Sequence, residues 1–252
     1  DARAKPSGGA RRDDMAPKRV TSDEIARRVD ASGLASRGVA RAGGGADLPH
    51  GVATLALVGF AGARGWGAFA ASPEAHDGAP DPLDRWSRRV IGALADALGA
   101  RAFFPFGGPP HWPFQRWALA AGGVHPSPLG LLIDDVFGLW HSYRGALGFA
   151  DAIAAPAARA SRSPCEDCRG RPCLSACPVG AFTGEGFDAK ACRSWLSGGQ
   201  GGDCLTGGCL ARRACPVGAE HRQGAEQAAF HLRAFARAGR GRTWPLASAR
   251  RA

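Results

Sequence analysis

Cys165-Glu166-Asp167-Cys168-Arg169-Gly170-Arg171-Pro172-Cys173-Leu174-Ser175-Ala176-Cys177-Pro178 opens a stretch that holds every cysteine of the 252-residue chain. Four more follow: Cys192, Cys204, Cys209 and Cys215, the last again before a proline, Pro216. Eight thiols supply two four-coordinate centres with none left over. Two sets that each end in Cys-Pro point to cubane iron–sulfur clusters.

A [4Fe–4S] cube needs one thiolate at each iron, arranged around a body several ångströms across. In bacterial two-cluster ferredoxins, three closely spaced cysteines hold one cube and the cysteine before proline reaches the other. Proline fixes φ and lacks an N–H, so the chain turns away from the cluster it has just ligated. Val179-Gly180-Ala181 and Val217-Gly218-Ala219 follow the two prolines identically, the trace of an internal two-fold repeat. The crossover rule assigns Cys165, Cys168, Cys173 and Cys215 to one cube. It assigns Cys177, Cys192, Cys204 and Cys209 to the other.

Other chemistries use cysteine in such numbers. Two zinc sites would take eight thiolates, and Cys165-x-x-Cys168 suits half of a zinc ribbon. The onward spacing to Cys173 and Cys177 supplies no second Cys-x-x-Cys knuckle. Four disulfides would need an oxidising compartment, and the sequence shows no secretory apolar segment. A redox-active dithiol accounts for Cys165 and Cys168 and leaves the other six over.

Length and a 45% hydrophobic content allow one or two domains with real cores. The formal charge is +10; two cubes of charge 2− would leave roughly +6. That balance leads us to expect a redox protein partner with an acidic docking surface. Arg162, Arg169, Arg171, Arg193, Arg212 and Arg213 stand among the ligands, where positive charge raises a reduction potential. A solvated basic face is the alternative reading of the same arginines. Basicity alone does not indicate nucleic acid. No apolar run reaches membrane-spanning length, so no membrane partner and a cytoplasmic location are expected.

Residues 1–20 read as a disordered basic tail, with Met15 as a plausible start. Residues 21–160 read as a small α/β domain, 161–224 as a loop-rich dicluster module, and 225–252 as a helix and basic tail. The fold class expected is therefore α+β. Thr21 caps a short helix that Gly33 stops. Val52 to Phe60 reads as a strand, and Asp81-Pro82 opens a helix ending at Gly99. Trp86, Val90, Ile91, Leu94 and Leu98 share one face of that helix. Ala102 to Phe106 is then a short buried strand, giving a strand–helix–strand unit, and Phe114 to Ala121 is helical. Leu129 to Ile133 and Leu139 to Tyr143 read as two strands around a hairpin turn at 134–138. Glu226 to Ala238 forms a final amphipathic helix.

Residues 123–219 resemble the region of epoxyqueuosine reductase where a strand hairpin leads into a two-cubane module, which the reductive dehalogenases share. The matching residues are Gly123-Val124-His125-Pro126, Leu131-Leu132-Ile133, Gly138-Leu139-Trp140, Gly145-Ala146-Leu147 and the cysteine motifs. Phe187-Asp188-Ala189-Lys190-Ala191-Cys192 resembles that family's isolated fifth cysteine, and Gly208-Cys209 through Cys215-Pro216 its closing motif. The resemblance implies two [4Fe–4S] clusters and, for the whole family architecture, a corrinoid (cobalamin) beside the nearer cube. This chain departs from the pattern in three respects. Four residues separate Cys168 from Cys173 where the family has two; Cys204, after a glycine-rich loop at 198–202, replaces the closing motif's middle cysteine; and the upstream part is shorter.

Catalytic residues stay unassigned. Asp134 and Asp135 are adjacent and face opposite ways in a turn. His125, His141 and Tyr143 lie near the same hairpin and could line a pocket above a cluster. His111 and Trp112 mark a rigid loop, with Trp112 and Trp117 read as packing. The sequence carries no phosphate loop and no flavin or dinucleotide fingerprint. An electron carrier with two cubes is expected first, a corrinoid-dependent reductase second and a zinc-stabilised binding module third.

Overall fold

The computed structural model describes residues 20–154, 161–183 and 186–238. The tails expected at the two ends lie, save Val20, outside these residues, as do 155–160 at the expected boundary between α/β domain and cysteine module. The described chain is a mixed helix-and-sheet protein.

Helix α1 (Ser22–Ala31) starts where Thr21 Oγ1 accepts the Glu24 N–H at 3.2 Å. It buries Ile25 and Val29. Strand β1 (Ala35–Arg41) follows, then β2 (Thr54–Ala61), every residue of which is buried. Two short helices, α2 (Trp66–Ala70) and α3 (Pro73–His76), lead to α4 (Pro82–Leu98). Pro82 occupies the first turn of α4 and Gly99 closes it in the left-handed region at φ 62°. Asp81 sits at the N-cap, but its side chain makes no capping bond. Trp86, Ile91 and Leu98 are buried, and Val90 and Leu94 pack beside them.

Then come β3 (Arg101–Phe103), α5 (Phe114–Ala121), β4 (Val124–Pro126), β5 (Leu132–Asp134) and β6 (His141–Phe149). The main sheet has the order β1-β2-β6-β3, and every pair is antiparallel. The strand–helix–strand unit β2–α4–β3 is therefore split, with β6 inserted between its strands. The expected hairpin is corrected. Asp134 and Gly138 do exchange backbone bonds around a tight turn, but β5 pairs with β4 and β6 joins the main sheet. Both flanks are apolar, and apolarity does not name a partner.

The sheet is the middle layer. One face packs on α1 and α4 through Val58, Phe60, Leu147 and Phe149. The other packs on α5 through Leu55, Leu57, Trp117 and Ala146.

The cysteine-bearing part is built from short pieces: α6 (Pro172–Ser175), β7 (Phe182–Thr183), β8 (Gly186–Phe187), α7 (Ala189–Ser197), α8 (Gly202–Gly207) and α9 (Leu210–Arg213). A 3-10 turn at Ala219–His221 precedes α10 (Ala225–Ala238). A third core joins Leu129, Ile133 and Leu139 to Cys173, Ala211 and Cys215, so the cysteine part and the 129–139 segment share one interior. Helix α10 returns to the first part, where Phe230 meets the rings of Trp66 and Phe69 edge-on at 5.3 and 5.4 Å. Among the described residues no helix is long and apolar enough to cross a membrane.

Candidate metal centre

All eight cysteines are free thiols. Cys173 sits on α6, Cys192 on α7 and Cys204 on α8; Cys209 stands at the start of α9 and Cys215 just beyond its end. Asp188 caps α7 by accepting the Ala191 N–H at 2.9 Å, which fixes Cys192 one turn in. The glycine loop before Cys204 makes its close approach to α7. A Cβ on Gly201 would lie 2.6 Å from the Leu196 Cα.

The thiols fall into two neighbourhoods. Cys165, Cys168, Cys173 and Cys215 act on one another electrostatically. Cys192 is acted on by Cys209, Cys177 and Cys204, and Cys209 by Cys204. The second set lines a cavity of about 180 Å³ whose remaining wall is apolar except for Arg212. Among the described residues, no three His, Cys, Asp or Glu side chains converge on the position of a single metal ion.

Burial pushes Cys192 up to about 11, and its three thiol neighbours add to the effect. Burial also raises Cys165, Cys173, Cys209 and Cys215. A dithiol reagent needs the opposite, a thiol pushed down. Several backbone N–H groups aim at sulfur nonetheless. Ala181 donates to Cys177 Sγ at 3.4 Å, Ala211 and Arg212 donate to Cys209, and Val217 donates to Cys215. Such donors favour the anionic sulfur that a cationic centre would hold.

The histidine and carboxylate candidates lie beside this module. The Arg37 guanidinium donates to Asp134 at 2.6 Å with both side chains buried. Asp134 also accepts the Val136 and Phe137 N–H groups, each at 2.8 Å. His141 Nε2 contacts the Leu132 carbonyl, while its Nδ1 and the Tyr143 hydroxyl are buried without partners among the described residues. Burial, helped by Arg37, lowers His141 to about 4, and burial raises Tyr143 to about 12. His125 Nε2 lies 3.2 Å from Asp135 and 2.9 Å from Ser161 Oγ. One ring nitrogen meets both neighbours, so these three form no serine–histidine–aspartate relay. Trp117 is core: its Nε1 donates to the Asp47 carbonyl at 3.0 Å, and Trp112 stacks on it. His111 is exposed.

No family model matches the chain, and no curated protein matches it by sequence. A selenomethionine-labelled epoxyqueuosine reductase is similar to it in structure, with TM-score 0.51, 13% identity, and 82% of this chain and 68% of that one covered. The two share a fold. The Bacillus subtilis epoxyqueuosine reductase superposes with TM-score 0.47 at 15% identity, covering 78% of this chain and 64% of its own. An epoxyqueuosine reductase with a tRNA-Tyr stem loop gives TM-score 0.47 at 14% identity, with 82% and 69% covered.

The burial of Arg212 was not apparent among six similarly spaced arginines. Its guanidinium donates to the Leu139 carbonyl and lies 4.8 Å over the Trp140 ring.

Proposed function

We propose that this chain is an iron–sulfur electron-transfer protein that carries two [4Fe–4S] clusters. Cys165, Cys168, Cys173 and Cys215 would hold one, and Cys177, Cys192, Cys204 and Cys209 the other. The observation that carries this reading is the separation of eight thiols into two sets of four, one of them around an apolar cavity. The donor set fits: four sulfurs per group, amide donors aimed at sulfur, and a wall wide enough for more than a single ion. Tetrahedral zinc would instead need four sulfurs drawn to about 2.3 Å from one point. A bound cube supplies uptake and release of one electron at a time. The protein would supply the sulfurs, which a bound cube would hold as thiolates, surround the second set with Phe182, Phe187 and Leu196, and link the two sets through α9.

The partner we propose is a redox protein with an acidic surface, met by the exposed Arg169 and Arg171. Arg212, buried against Trp140, does not belong to that face.

A second reading has its own support. The fold shared with an epoxyqueuosine reductase extends over 82% of the chain, well beyond the cysteine part. In that reading the main sheet and the β4–β5 hairpin would hold an acceptor, a corrinoid in keeping with the sequence resemblance, and the chain would be a reductase. Low-temperature EPR of anaerobically reduced protein tests the first reading: two interacting half-integer-spin centres are expected. Cobalamin added in parallel separates the two. A base-off spectral change with stoichiometric binding would move the assignment to the reductase.

A further inference from the structure

Three arginines are buried where the sheet meets the cysteine part, and two of them are paired. Arg37 has Asp134 and Arg144 has Asp84. Arg212 forms no ion pair with a carboxylate among the described residues; its electrostatic neighbour is Cys209. Its Nε is shut off from solvent and has no hydrogen-bond partner among the described residues. The same side chain lines the cavity of Cys177, Cys192, Cys204 and Cys209. A buried, unpaired guanidinium costs several kcal/mol. Neutral thiols do not offset that cost, whereas a centre of net negative charge does.

We infer that Arg212 is the fixed counter-charge of the centre held by Cys177, Cys192, Cys204 and Cys209, its Nε–H donating to a sulfur of that centre. This rests on the two-cube reading. The placement is enforced from both sides. In sequence Arg212 lies three residues from Cys209 and three from Cys215, one thiol of each set. In space the first part of the chain supplies its seat, through the Leu139 carbonyl and the Trp140 ring. A buried cation beside a cube favours the reduced form, because reduction adds one negative charge. The segment between β5 and β6 thus tunes the potential of a centre it does not ligate, with Arg212 as the tuning residue.

The test is potentiometric titration, under argon, of the wild type, Arg212→Met, Arg212→Lys and Arg213→Met, after iron and sulfide assay of each. Arg213 pairs with Asp203 on an exposed face and serves as the control. Arg212→Met should keep its iron and make one of the two reduction waves harder to drive. At fixed potential the reduced-to-oxidised ratio of that wave should fall about tenfold, which for one electron is about 59 mV. Arg212→Lys, which keeps the charge and loses the Nε donor, should fall between, and Arg213→Met should match wild type. Unchanged waves in Arg212→Met, or an equal shift in Arg213→Met, would overturn the inference. Should Arg212→Met not retain iron, Arg212→Lys decides: an intermediate wave supports the assignment, and an unshifted one overturns it. Wild-type protein without iron would instead remove the two-cube reading, and the inference with it.

Discussion

The Arg37 guanidinium meets the Asp134 carboxylate at 2.6 Å, tying β1 to the turn that follows β5. The two residues are 97 positions apart, and their side chains keep 6% and 14% exposure. Burial works to raise Asp134, but Arg37 and the Val136 and Phe137 amides outweigh it, and the carboxyl titrates below the usual aspartate range.

Removing one partner leaves an uncompensated buried charge. Arg37→Ala is therefore expected to cost on the order of 3 kcal/mol in urea unfolding. The pair's contribution is present above the unfolded aspartate value of about 3.9 and is lost as pH falls through the lower folded value. Asp134→Asn should remove that acid-limb loss as well as destabilise the protein.

Gly138 (φ 55°) lies against the segment after Cys215: a Cβ there would come within 2.0 Å of the Val217 carbonyl oxygen. Gly180, in the Pro-Val-Gly-Ala stretch after Cys177, also has a left-handed backbone, at φ 57°, but nothing within 4 Å of an added Cβ. Both alanine variants pay for the left-handed backbone, about 1 kcal/mol, and only Gly138→Ala also meets a backbone clash. Thermal unfolding should rank Gly138→Ala well below Gly180→Ala. Equal melting temperatures would refute the close docking of this turn.

His231 is buried beside Phe230 and Trp66, and burial, then Arg212 and Arg144, hold it down at about 4. The folded state thus keeps it neutral, whereas the unfolded chain protonates it near 6.5. Its contribution is full above pH 6.5 and falls between 6.5 and 4, by at most about 1.4 kcal/mol per pH unit. His231→Phe should flatten that slope by one proton while preserving the aromatic packing. An unchanged slope in denaturant titrations across this range would count against the burial of a neutral ring.

Cys173→Ala and Cys209→Ala should each cost about four iron atoms per chain, and a different EPR signal should survive in each. Loss of the same signal in both variants would break the proposed partition.

Much of this was legible in the sequence because its signals are local. Thr21, Pro82 and Gly99 mark helix ends through chemistry that acts within one turn. Strand β1 was missed: Arg37 and Gly38 break its alternation, and only Asp134, far away in sequence, explains a charge there. Likewise Leu132–Asp134 carries no mark that its partner is Val124–Pro126 and not the apolar run that follows. The burial of Arg212 depends on Trp140 and Leu139, which reach it only after β6 has entered the sheet.

The most direct measurement is the metal and acid-labile sulfide content of the protein purified without oxygen. About eight iron and eight sulfide per chain are expected. Zinc in place of iron, or iron without sulfide, would contradict the two-cube reading.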